Sequence, residues 1–272
     1  MKKLEGLFPV VTYYGILLLI AASMLEKRKK IWIVTQPSMV YSQIDMSASK
    51  DRDELLASFD GDPNKVIKSL EMSIRSLEQM RKKEELVISK VKLASMYKFM
   101  SRFVEAEREY REVIKIKPDY AEAHYNLGNL LADLKRYDEA EKEYREAIRI
   151  KPDYAKAHNN LGILLKESKR PEGAEKEYRE AIRIKSDHAK AHYNLGNLLR
   201  DLKRNEEAEQ EYLDAIRINP DFAEAHSNLG ILYSQIGRLE EANKEFETAK
   251  RLFEAQKRED DMKKVDKLLK SL

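Results

Sequence analysis

The chain has no cysteine. Disulfides, thiolate metal sites and cysteine nucleophiles are therefore excluded, and either side of a membrane stays open. Glycine is scarce, nine in 272 residues, while 36% of residues are charged; this is the composition of a helix-rich, highly solvated protein. An excess of one charge is also missing. Lys and Arg number 51 against 48 Asp and Glu, a net of +3, and the signs interleave. Such a balance lacks the strongly basic footprint of a nucleic-acid binder. No strand pattern precedes a glycine-rich loop, so a phosphate-binding loop has no place to form. The length suffices for one large or two small domains.

One long apolar run is present. Residues 7–25 ("LFPVVTYYGILLLIAASML") carry no charge, and as a helix they reach about 28 Å, near the hydrocarbon thickness of a bilayer. Lys2 and Lys3 precede the run, and the cluster Lys27 to Lys30 follows it. This arrangement predicts a single-pass anchor over residues 1–30, with the heavier basic flank and the rest of the chain on the cytoplasmic side. Lys2, Lys3 and the terminal amine compete for that orientation, and Trp32 suits the headgroup level. The alternatives are a signal peptide cleaved near Ala21 to Ser23, giving a secreted protein, and a buried helix. Residues 31–61 lose periodicity and read as a linker. Asp62 then offers an N-cap with Pro63 at the first helical position. Val66, Ile67, Leu70, Ile74 and Leu77 follow helical spacing, so residues 62–86 are expected to hold an amphipathic capping helix.

Beyond it the text repeats. Pro118, Pro152 and Pro220 are separated by 34 and 68 residues, with Ser186 in the slot between. A period of this length with helical patterning predicts stacked helix-turn-helix units. Gly128, Gly162, Gly196 and Gly230 share one slot of the first helix. A helical glycine costs roughly 1 kcal/mol relative to alanine, so its recurrence implies a neighbouring backbone too close for a side chain. Ala140, Ala174, Ala208 and Ala242 share a slot of the second helix, and Ala147, Ala181, Ala215 and Ala249 another. Leu127, Leu161, Leu195 and Leu229, with Tyr144, Tyr178, Tyr212 and Phe246, supply the bulk between them.

These residues resemble the tetratricopeptide repeat, with His124, His158, His192 and His226 in place of its first aromatic. The resemblance is close over 121–154, 155–188, 189–222 and 223–255, and looser over 87–120, where Val113 replaces an alanine. It implies an all-α, right-handed solenoid of stacked repeats, here preceded by one transmembrane helix. Residues 256–272 place Met262, Val265, Leu268 and Leu269 on one face and are expected to cap the last repeat.

Catalysis finds no support in this text. The repeated histidines stand a full unit apart and cannot converge on a metal; each reads as a ring packed between helices. Glu139, Glu141 and Glu143 lie among lysines and arginines as solvated pairs. No catalytic, metal or cofactor residue is expected.

One polar residue recurs without a packing reason. Asn126, Asn160, Asn194 and Asn228 each precede a Leu-Gly pair. An amide offers a donor and an acceptor together, which matches an extended peptide backbone. The resemblance implies that first helices line a concave groove, with Tyr125, Tyr193, Asn129 and Asn197 beside the ladder. That ladder is similar to the one in the repeat domain of O-linked N-acetylglucosamine transferase, whose catalytic domain has no counterpart here. The alternative is that these amides bond only locally. Glu122, Lys156, Lys190 and Glu224 alternate in sign, which fits a peptide without strong net charge. The expected function is a non-catalytic, membrane-tethered adaptor for an extended segment of another protein. The rivals are a structural subunit that uses its outer faces or self-association, and a regulatory partner of a separate enzyme.

Overall fold

A computed structural model of the chain describes residue 53, residues 56 and 57, and residues 59–272. The apolar run 7–25, its basic flank and most of the linker lie outside those residues. No helix among the described residues is long and apolar enough to cross a membrane.

The described residues form helices and no strand: α1 Pro63–Gln79, α2 Lys83–Phe99, α3 Phe103–Ile116, α4 Ala121–Asp133, α5 Tyr137–Ile150, α6 Ala155–Glu167, α7 Pro171–Ile184, α8 Ala189–Asp201, α9 Asn205–Ile218, α10 Ala223–Gln235, α11 Leu239–Ala255 and α12 Glu259–Leu269. They fall into two compact units, divided within α4 between Leu130 and Leu131.

In the first unit, Asp62 accepts from the Asn64 N–H at 2.9 Å and Pro63 opens α1. The side chain thus satisfies one of the orphan donors of the helix start. The apolar stripe Val66, Ile67, Leu70, Ile74 and Leu77 is buried, and α1 packs on α2, which packs on α3.

In the second unit α6 packs on α7, α8 on α9 and α10 on α11. Each second helix also meets the next first helix, and α8 touches both α6 and α10, so first helices stand side by side. The recurring glycine has a different cause from the one its recurrence implied. A Cβ on Gly162 would lie 2.7 Å from the Tyr178 ring, on Gly196 2.9 Å from Tyr212, and on Gly230 2.7 Å from Phe246. The close neighbour is an aromatic ring of the paired helix, not a backbone. Those rings are buried, and each contributes roughly 1.5–3 kcal/mol by leaving water.

Between first and second helices one residue turns left-handed: Lys169 (φ 57°), Lys203 (φ 62°) and Gly237 (φ 81°). The next N–H bonds back to the helix end, as in Arg170 to the Leu165 carbonyl at 2.9 Å, which is a Schellman closure. On the outer side Arg170 reaches Glu141 at 2.7 Å, Arg204 reaches Glu175 at 2.7 Å, and Arg238 reaches Glu209 at 2.9 Å. These pairs tie successive second helices in register. Being solvated, they serve alignment more than stability. At the far end Val265 of α12 is buried, and Met262, Leu268 and Leu269 are half-buried, with α12 packed on α11.

A polar face on the first helices

The asparagines of the second unit stand on the shared face of α6, α8 and α10, and they are bonded to one another. Asn194 Nδ2 donates to Asn159 Oδ1 at 3.0 Å, and Asn159 Nδ2 donates to Asn160 Oδ1 at 3.1 Å. Asn228 Nδ2 donates to the Tyr193 hydroxyl at 3.0 Å and to Asn197 Oδ1 at 2.7 Å. The Tyr212 hydroxyl donates to the same Asn197 oxygen at 2.7 Å. Asn194 and Asn228 therefore each reach back to the preceding first helix, which gives the amide a reason to recur once per repeat.

Asn160, Asn194, Asn197, Asn228 and Tyr193 are half-buried. The wet side of Asn194, Asn228 and Tyr193 keeps hydrogen-bonding capacity. Asn194 retains Oδ1 and one amide hydrogen, Asn228 retains Oδ1, and the Tyr193 hydroxyl retains its hydrogen. The Tyr193 ring is itself fixed, 4.9 Å from Phe222 and 6.2 Å from Tyr212 between centroids. Asn159 was not among the residues singled out from sequence. It occupies the slot of Tyr125 and Tyr193 one unit on, and that shared slot was the available signal. Tyr125, Asn126 and Asn129 are half-buried on the part of α4 that belongs to the first unit.

Charge on this face is mostly neutralised. Lys166 pairs with Asp201 at 2.8 Å, Arg200 lies 3.3 Å from the same carboxylate, and Arg258 holds Glu224. Burial raises the Asp201 carboxyl, but Lys166 and Arg200 outweigh it and hold the group below its usual range. Lys156 and Lys190 are exposed in the first turns of α6 and α8. The histidines of this unit, His158, His192 and His226, are not on this face; they are buried between the helices of their own pairs. Among the described residues no group of three His, Cys, Asp or Glu could hold a metal.

Several solved structures share this architecture. BtubC (BKLC) from P. vanneervenii is 23% identical, with TM-score 0.64 over 72% of this chain and 92% of its own. MamA is 24% identical, with TM-score 0.55 over 61% and 96%. YrrB, a TPR protein with an unusual peptide-binding site, is 20% identical, with TM-score 0.53 over 65% and 90%. At these identities the likeness is one of fold. No curated protein matches the chain. Models of the tetratricopeptide repeat match residues 100–135 and 196–237, 119–187, and 223–256, together more than half of the 272 residues, and the chain belongs to the tetratricopeptide repeat family.

Proposed function

We propose that the protein is a membrane-tethered adaptor that holds an extended segment of another protein against the first helices. The observation that carries this reading is the linked polar face of α6, α8 and α10, where Asn194 and Asn228 keep unoccupied acceptors one repeat apart. Neighbouring helices lie about 8–10 Å apart, and an extended chain rises about 3.3 Å per residue. One rung therefore meets a partner about every third residue, and it can bond backbone without reading side chains. Solenoid repeats use such extended surfaces for binding, and the fold carries a peptide-binding site in YrrB.

The tether rests on sequence alone: the uncharged run 7–25 and the cluster Lys27 to Lys30 that follows it. By the positive-inside rule the repeats lie on the cytoplasmic side. Anchoring concentrates the adaptor where its partners pass, so modest affinity at the face suffices.

The test is a peptide array probed with the full chain in mild detergent, beside a variant with Asn126, Asn160, Asn194 and Asn228 all changed to Ala. Circular dichroism checks that both stay helical. Binding by the wild type and its loss in the variant are expected. Equal behaviour of two folded proteins would move the working surface to the outer faces and favour a structural subunit.

A further inference from the structure

Each of the five repeats carries a basic side chain at its fourth position and a glutamate nineteen residues later on the second helix. In the second unit the base is histidine. His158 Nδ1 lies 2.6 Å from Glu177 Oε2, His192 Nδ1 2.6 Å from Glu211 Oε2, and His226 Nδ1 2.6 Å from Glu245 Oε2. The other ring nitrogen, Nε2, lies 3.1 Å from the carbonyl oxygens of Pro152, Ser186 and Pro220 respectively. A carbonyl and an ionised carboxylate can only accept. A ring set between the two satisfies both only when both its nitrogens carry hydrogen.

The first unit offers an independent observation. There the equivalent base is Lys90, with Nζ 3.1 Å from Glu109 Oε2, at the same separation of nineteen residues. A lysine fills this slot as a cation. His124 occupies the slot in α4, and its Nε2 lies 3.0 Å from the Pro118 carbonyl oxygen.

We propose that this position is a cation slot closed by the glutamate of the second helix. His158 and His192 occupy it as imidazolium at neutral pH, so their repeats loosen as pH rises.

Each ring is faced mainly by carboxylates and a carbonyl. His158 meets Glu177 and Glu180 of α7, with Glu180 itself bound by Arg183, and the Pro152 carbonyl of the preceding corner. His192 meets Glu211 and Asp214 of α9, the Ser186 carbonyl, and His188 at the start of its own helix. His226 meets Glu245 of α11 and the Pro220 carbonyl. Burial pulls His158 and His192 down, but the glutamate and carbonyl bonds and the nearby carboxylates outweigh it and hold both above the ordinary value of 6.5. A ring that binds its proton more tightly when folded stabilises the fold fully below that value. The contribution is lost as pH rises through the folded pKa.

Two measurements on the full chain test this. Nitrogen-15 NMR of the imidazole rings at pH 7 is expected to show both nitrogens of His158 and His192 protonated; neutral tautomers on them would overturn the proposal. Second, chemical unfolding is followed from pH 6 to 9. The unfolding constant is expected to rise by up to about tenfold per pH unit for each titrating ring. A variant with Glu177→Gln and Glu211→Gln, whose amides still bond a neutral ring, keeps only the part of this slope due to other groups. An unchanged slope in the folded variant would also overturn it.

Discussion

At the scale of single residues, one slot holds three different side chains and so shows its requirement. Tyr154, His188 and Phe222 all open a first helix at the inter-repeat corner. Burial, then the Lys185 charge, pushes His188 below 6.5. The folded chain therefore binds this proton less tightly than the unfolded chain. Its contribution is present above pH 6.5 and lost as pH falls through the folded value. His188→Phe should flatten the loss of stability between pH 7 and pH 5, read as thermal midpoints at both. Gly196 sets the opposite kind of limit. A Cβ there meets the Tyr212 ring at 2.9 Å, so Gly196→Ala should destabilise by about 1–3 kcal/mol in urea titration, because the packed ring cannot yield without displacing its neighbours.

At the scale of elements, the corner shows how backbone and sequence agree. Lys151 (φ −130°, ψ 88°) and Asn219 (φ −133°, ψ 92°) precede prolines, and Lys185 (φ −137°, ψ 91°) precedes Ser186. All three have the extended conformation that a following proline prefers. The Ser186 carbonyl meets His192 at the same 3.1 Å as the Pro152 and Pro220 carbonyls meet their own histidines. Ser186→Pro should therefore stabilise by about 0.4–1 kcal/mol through the unfolded chain, seen as a higher urea midpoint with unchanged slope. The slot missing its proline was legible in the sequence; its unchanged geometry was not.

At the scale of the molecule, the second unit gains stability pair by pair, since each helix pair packs on the next. The last pair depends on α12, whose Val265 is 1% exposed. Val265→Asp places a charge in that seam and should cost more than about 2 kcal/mol locally. Hydrogen exchange is expected to show α11 losing protection first, while α6 and α7 keep theirs. Uniform loss along the second unit would mean that it unfolds as one block.

The sequence by itself determined the period, the helix pairs, the buried alanines and leucines and the repeat family. Each of these is a local rule of spacing, and 34 residues of patterned text state it five times with edits. It also placed one amide per unit, because Asn126, Asn160, Asn194 and Asn228 share a slot. Only the tertiary structure decided what those amides do to each other. Whether Asn194 reaches Asn159 or solvent depends on the separation of α6 and α8, which no single helix encodes. The same holds for Gly196, whose near neighbour is a ring sixteen residues on, and for the histidines. Each ring of the second unit is held by a glutamate from the paired helix and a carbonyl from the preceding corner, brought together only when the helices pack.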